Sequence, residues 1–362
     1  MMMLKVLFLV MPVLYIGANV YLYVRMLQLM VSLPLWVKVS GSLLFWLAAF
    51  ALFASIALRS SALPLPLLKA MFLLGSVWMV FLLYSVMLLV PADIASFFLP
   101  SMKPSLVYVL PLVCLILLYG YVNYRNPHVE NIEIMLDKDI GTDELTIVAV
   151  SDVHLGLGTG PAALHRYVDL INSYNPDIII IAGDLIDNDM KPVRAAAFDK
   201  ELDALKAPLG VFMVPGNHEY VSGINDCLDY LRQRNITVLR DSMTVLPGGL
   251  QLIGRDDRSN KHRKELDELM TQADRSRPII LLDHQPYDLA ESDSAGVDIQ
   301  ICGHTHRGQV WPLNYITDYI FEQSHGYRKW THAHIWVSSG LSLWGPPFRI
   351  GTDSDMAVIK VR

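Results

Sequence analysis

Apolar positions along the chain follow two rhythms, one on each side of Arg125. Before it they form four long runs, near residues 4–24, 39–58, 70–90 and 105–122, each about long enough to cross a hydrocarbon layer as a helix. From Asn126 onward, short β-rich runs alternate with helical stretches, the pattern of a layered α/β unit. The spacing predicts strands at 129–136, 145–151, 177–182, 209–214, 236–240, 250–254, 278–282, 298–302 and 334–339, with helices near 161–174, 193–206, 224–233 and 263–274. Pro161 suits the first turn of the first of these helices, and Pro176 in SYNPD forces an extended entry into the next strand.

Two domains are expected from this change of rhythm, a four-span transmembrane anchor over 1–125 and a catalytic domain over 126–362. Composition agrees, since 53% hydrophobic residues in 362 and a positive mean hydropathy exceed what a soluble core needs. No small-residue cleavage site followed by a polar segment marks the first run as a cleaved leader, so it is read as an anchor. Pro12, Pro34, Pro91, Pro100, Pro104 and Pro111 lie within or at the ends of the runs, and those inside are tolerated where neighbouring helices re-satisfy the backbone. Charge lies only near the ends of the runs, which weakens any reading as a channel or transporter.

Residues 1–125 carry seven basic side chains and one acidic one, net +6, so the whole-chain charge of −6 leaves −12 for residues 126–362. An acidic second half argues against broad nucleic-acid binding, which needs a basic surface against phosphates. Beside the spans, Lys5, Arg59, Lys69 and Arg125 fall on one side and Arg25, Lys38 and Lys103 on the other. Four against three orients both termini, and with them residues 126–362, to the cytoplasmic side of the cell (inner) membrane. The three cysteines, Cys114, Cys227 and Cys302, form no readable disulfide framework.

Seven side chains of metal-ligand type stand at the ends of predicted strands. Asp152 and His154 lie in SDVH after TIVAV, and Asp184 lies in GDLID after DIIIIA. Asn217 lies in GNHE after VFMVP, His284 in DHQP after PIILL, and His304 and His306 in GHTH after VDIQIC. Strand ends of an open α/β sheet converge on one crevice, where sites are built. A lone D-x-H or H-x-H would carry little weight; five motifs meeting one geometric expectation carry much.

The order D-x-H, G-D-x-x-D, G-N-H-E, H-x-P and G-H-x-H over about residues 145–310 resembles the calcineurin-like metallophosphoesterase superfamily, and within it the bacterial membrane-attached branch. The later GHTHRGQ and SSGLSLWGPP segments resemble that branch too, with Arg307 in place of a common glycine adding positive charge to the groove. The resemblance implies a four-layer α/β/β/α sandwich and two divalent metal ions. Asp152, His154 and His306 would hold one ion, Asn217, His284 and His304 the other, and Asp184 would bridge them. A metal-bridging hydroxide would attack phosphorus, His218 would stabilise the phosphoryl charge and protonate the leaving oxygen, and Asp187 would orient His218. A carboxylate, imidazole and amide donor set suits Mn²⁺, Fe or Zn²⁺ better than Mg²⁺, with manganese expected in an active preparation.

The same metal core serves phosphodiesterases, pyrophosphatases and phosphomonoesterases, phosphoprotein phosphatases included. The related branch contains enzymes that cleave the pyrophosphate of UDP-2,3-diacylglucosamine in lipid A synthesis, which makes a lipid-linked diester or pyrophosphate the expected substrate. The alternatives are a phosphomonoesterase and a non-catalytic metal-binding membrane sensor or scaffold. The aromatic stretch Trp311, Tyr315, Tyr319, Phe321 and Trp330 suits a membrane interface, an acyl groove or ordinary packing. Glu219 reads as a structural hydrogen bonder, Asp256 and Asp257 as an acidic turn or as support for the site through hydrogen bonds, and Arg349 as either a substrate-phosphate contact or a structural ion pair. His128, His165, His325, His332 and His334 read as surface or structural residues.

Overall fold

The computed structural model describes the backbone from Met2 onward and side chains from Val10 onward, so Lys5, counted above, lies outside the described side chains. The chain divides into two compact units, Met1–Tyr121 with Gly345–Pro347, and Val122–Trp344 with Phe348–Arg362.

The apolar runs become four helices, α1 (Met2–Leu29), α2 (Leu35–Ala57), α3 (Leu65–Phe98) and α4 (Leu106–Tyr124). All four are long and apolar enough to cross a membrane, α1 over its described part Val10–Leu29. At 1.5 Å per residue α3 is roughly 50 Å long, well beyond the ~30 Å of a hydrocarbon core, so its ends extend past one. Near its end Asp93 meets Arg25 at 2.6 Å and accepts from the Tyr21 hydroxyl at 2.5 Å. Polar contacts tie the helices elsewhere: the Tyr15 hydroxyl donates to Ala49 O, and Trp78 Nε1 donates to Asn19 Oδ1. Gly75 brings α3 against α2, since a Cβ there would overlap the Leu52 backbone.

The second unit is built on twelve strands: β1 (His128–Ile134), β2 (Leu145–Val150), β3 (Ile178–Ile181), β4 (Gly210–Met213), β5 (Thr237–Val238), β6 (Ser242–Val245), β7 (Gln251–Gly254), β8 (Ile279–Leu282), β9 (Ile299–Cys302), β10 (Gly326–Lys329), β11 (His334–Val337) and β12 (Asp355–Val361). They form two six-stranded sheets, ordered β1-β12-β2-β3-β4-β5 and β10-β11-β9-β8-β7-β6. Between them run α5 (Pro161–Asn172), α6 (Met190–Ala196), α7 (Asp199–Leu202), α8 (Asn217–Ser222), α9 (Ile224–Leu231), α10 (Leu266–Met270), α11 (Leu289–Ala295) and α12 (Asn314–Ile320).

Period-two alternation sets the layers. On β2 and β3, Ile147, Ala149, Ile178 and Ile180 face a core shared with Leu252, Ile280, Leu282, Ile299 and Ile301 of the other sheet. Val148, Val150, Ile179 and Ile181 face the opposite way, onto Leu164 and Val168 of α5 and Leu231 of α9. On the far side, Ile253, Ile279 and Leu281 meet Leu266 and Leu269 of α10. The result is the α/β/β/α sandwich that the family resemblance implies.

Several elements differ from expectation. The helix predicted at 193–206 is broken into α6 and α7 at Ala197, whose φ is 51°, and the one predicted at 263–274 shrinks to α10. Strands β6, β10 and β12 were not predicted, although β12 lies between β1 and β2 inside the first sheet. Its DMAVIKV alternates polar and apolar residues too weakly to stand out at the end of a chain, and its partners decide its conformation.

Ile180→Ala, at a fully buried position between the sheets, should cost ~2–5 kcal/mol and lower the thermal unfolding midpoint in detergent, whereas Arg166→Ala on the exposed face of α5 should leave it within error.

Candidate metal centre

Parallel pairing aligns strand ends. β2, β3 and β4 pair in parallel in one sheet and β8 and β9 in the other, so each group's C-terminal ends lie along one edge. The sheets are tied there, with His284 Nδ1 donating to Ala182 O at 2.7 Å and His304 N donating to Asp152 Oδ2 at 2.9 Å. A carbonyl can only accept, so Nδ1 of His284 carries the proton and Nε2 is left as its ligand atom.

All seven ligand candidates come together. Asp152 Oδ1 lies 3.3 Å from His306 Nε2 and 3.7 Å from His154 Nε2. Asn217 Oδ1 lies 2.8 Å from His304 Nδ1 and 3.1 Å from His284 Nε2. Asp184 Oδ2 reaches both groups, 3.2 Å from His284 Nε2 and 3.9 Å from His154 Nε2. Its other oxygen accepts the His218 backbone N–H at 2.8 Å. The shared atom is therefore a single carboxylate oxygen, not one oxygen for each group.

Backbone strain marks the same residues. Asp152, His154, Asp184, His304 and His306 all have φ between 47° and 74°, the left-handed region that side chains avoid. Such residues cost on the order of 1–3 kcal/mol each and persist where their surroundings over-determine them. Glycine supplies the close approaches beside them, since a Cβ at Gly303 would overlap Ser151 and Asp152, and one at Gly216 would overlap Asp184.

The donor set fits metal ions. Asp152, Asp184, Asp187 and Glu219 are all buried, and ionised carboxylates without cations are costly there. Buried Asp152 Oδ1 accepts no hydrogen bond, and the Nε2 atoms of His154 and His306 face each other at 3.0 Å, which calls for a proton or cation between them. Burial alone would lower the pKa of His154, but Asp152 and Asp187 raise it to about 10. His284 is likewise opposed by burial yet held well above its usual value by Asp184. Burial and the charge on His284 depress His304 to about 4. Burial would raise Asp184, but the surrounding imidazoles, His284 foremost, hold its carboxyl well below the usual range. Protons on imidazole stand in for the cations that these carboxylates require.

Beside this cluster, Asp187 Oδ1 lies 3.2 Å from His218 Nδ1 and 3.5 Å from His154 Nδ1. His218 sits in the first turn of α8, packed edge-on to the His154 ring. Glu219 holds the framework, accepting the backbone N–H groups of Asp184, Ile186 and Gly216. Burial and the Asp184 charge push its carboxyl up to about 7.

Residues 145–308 match the model of the calcineurin-like phosphoesterase family. An uncharacterised metallophosphoesterase of Helicobacter pylori J99 is 32% identical over 276 residues, 73% of each chain. The chain belongs to the calcineurin-like phosphoesterase family. A Danio rerio transmembrane protein with metallophosphoesterase domain is 30% identical over 274 residues, 71% of this phosphoesterase and 62% of the relative. Among solved structures, a dimetal phosphatase from Danio rerio is 16% identical, with 56% of this chain and 88% of that one covered at a TM-score of 0.36. Family and His/Asp clusters together point to a dinuclear metal centre in this phosphoesterase.

Arg349 is neither a substrate contact nor a simple ion pair. It is fully buried and donates to the carbonyls of His306, Ser339, Gly340 and Ser342 and to Ser354 Oγ. Asp256 is more than a turn residue: it accepts from Arg240, Tyr220 and Asn260. Asp257 accepts from Gln285 Nε2, next to His284. Among the other histidines, His334 Nδ1 pairs with the Tyr327 hydroxyl and His325 with Ser324 Oγ, while His165 is exposed.

Sequence reasoning named Phe321 within its aromatic stretch but missed Trp344 and Tyr287. Trp344 stands 6.4 Å from the His218 ring, and Phe321 stands 6.1 Å from His304 and 4.9 Å from Tyr287, which Arg258 covers at 4.8 Å. For Trp344 and Tyr287 the signals were SSGLSLW and DHQPY, each continuing a candidate-ligand or late motif.

Arg349→Met should lower the unfolding midpoint through orphaned buried carbonyls, by roughly 3 kcal/mol or more. A raised KM with unchanged stability would instead mark a substrate contact.

Proposed function

We propose that this chain is a membrane-anchored, two-metal phosphoesterase that hydrolyses phosphodiester or pyrophosphate bonds, with lipid-linked substrates as its class. A UDP-linked diacylglucosamine is one such substrate. The observation that carries the reading is Asp184 Oδ2, one buried carboxylate oxygen within reach of both His284 and His154, and so of both donor groups.

Asp152, His154 and His306 would hold one ion, Asn217, His284 and His304 the other, with Asp184 shared. Bound divalent ions, Mn²⁺ by our reading with Fe or Zn²⁺ as alternatives, supply Lewis acidity toward the phosphoryl oxygens and lower the pKa of the attacking water. Asp187 Oδ1 lies 3.2 Å from His218 Nδ1, and a pairing there would leave Nε2 to give a proton to the leaving oxygen. Asn217, His218, His304 and His306 are the partly exposed members of the cluster, the side from which a substrate reaches it. Aromatic rings flank the cluster near both donor groups, Trp344 by His218 and Phe321 with Tyr287 by His304. Two flanks suit a phosphorus atom that carries two substituents, which favours a diester or pyrophosphate over a monoester.

Residues 1–125 serve as a four-span anchor and residues 126–362 as the catalytic domain, held on the cytoplasmic side by the four-to-three bias of basic residues. That family relatives are named transmembrane proteins supports membrane association.

Detergent-purified protein with Mn²⁺ should release nitrophenol from bis-(p-nitrophenyl) phosphate faster than from the monoester. Asp184→Asn should lose bound metal by elemental analysis and nearly all turnover, whereas His218→Ala should keep its metal and lose about 10²–10⁴-fold in rate. Wild-type rates in either variant, or a monoester preference, would overturn the corresponding part of the reading. Metal loading should also release protons near pH 7. His154, with a pKa of about 10, is protonated without metal and must be neutral to ligate, so apparent affinity should rise with pH above 7. Calorimetry in buffers of different ionisation enthalpy reads this directly.

A further inference from the structure

Between the ligand loop and β10 the chain makes an excursion that is closed at its base, where Thr305 Oγ1 donates to Ser324 O at 2.6 Å. The excursion is also fastened by Trp311 N to Ile350 O and by Thr352 Oγ1 to Gln309 O. Its outermost element is α12, and the polarity of this helix is reversed. Asn314 is buried and Thr317 half-buried on the inner side, while Tyr315, Ile316, Tyr319 and Ile320 face outward, Tyr319 at 89% exposure. Trp311 and Leu313, just before the helix, are exposed as well. Beyond residue 126, eleven large hydrophobic side chains are exposed, and six of them fall within residues 311–320. A clustered apolar surface of this kind marks a contact with something other than water.

We infer that α12 and its approach dock on a phospholipid surface, with the tyrosine and isoleucine side chains entering the interfacial layer beside the metal-ligand loop. Three features favour lipid over a protein groove. Tyrosine rings with a hydroxyl suit the boundary between headgroup and acyl chain. The chain itself carries four helices able to cross a membrane, and only Arg125, Asn126 and Pro127 separate α4 from β1, so lipid is always the nearest non-aqueous phase. The charges on the helix and just after it, Asp318 and Glu322, are acidic and outnumber the one basic side chain of the preceding turn, Arg307, so apolar burial and not attraction to anionic headgroups drives the contact. Docking rests on α1–α4 holding the protein in a bilayer and is independent of which phosphoester is cleaved.

Nitroxide probes test this on the full-length protein in phosphatidylcholine nanodiscs, in a Cys114→Ser background that removes the exposed native thiol. Ile316→Cys and Tyr319→Cys carry the probes, Asp169→Cys and Asp229→Cys are exposed polar controls, and Leu44→Cys on the outer side of α2 reports the span. Power saturation with oxygen and with a water-soluble nickel chelate should find the probes at 316 and 319 several-fold less accessible to nickel than the controls, and equally so when a third of the lipid is anionic. A lipid-facing probe at 44 together with control-like accessibility at 316 and 319 overturns the docking surface. A water-facing probe at 44 overturns the membrane reading beneath it. Shielding at 316 and 319 that persists in lipid-free detergent at high protein concentration and vanishes on dilution assigns the face to a second copy instead, and shielding that requires anionic lipid overturns the apolar basis.

Discussion

Buried carboxylates impose the constraint around which the second unit is organised. Asp152, Asp184, Asp187 and Glu219 are withdrawn from water at one end of the sandwich, and their charge must be met by imidazolium, backbone N–H groups or metal. The means are separated by residue. Glu219 is met by three backbone donors, Asp187 by His154 and His218, and Asp152 and Asp184 by the converging histidines. Arg349 secures the loops behind them by donating to their carbonyls.

The layered fold makes this concentration of polar groups affordable. Val, Ile and Leu on both faces of β2, β3, β8 and β9 hold the two sheets rigidly, and parallel pairing brings their ends level. Where the strands stop, left-handed turns at Asp152, Asp184 and His304 swing side chains inward over glycines too small to block them. Strain and close approach are tolerable there because the apolar sandwich below over-determines the backbone. The same edge carries α12 on an excursion from the last candidate ligand loop, closed at its base by the Thr305 to Ser324 hydrogen bond.

Much of this was legible in the sequence, and the reason is locality. Four long apolar runs have one outcome as helices, and strands such as IIII in β3 or IILL in β8 report their burial directly. The convergence of the candidate ligands could be anticipated because each follows such a strand. What was not legible depended on partners distant in sequence. β12 takes its place between β1 and β2 only through pairing across some two hundred residues, Ala197 breaks a helix that its neighbours would continue, and Trp344 reaches His218 only because the chain returns there.

The sequence by itself determined the kinds of element, the candidate ligand set and the division between apolar and acidic halves, because hydrophobic period and side-chain chemistry are properties of short stretches. Tertiary structure alone decided that one oxygen of Asp184 serves both donor groups, that Arg349 is a buried clamp, and that α12 turns its apolar face outward. Each of these depends on distance and burial, which exist only once segments remote along the chain have been packed together.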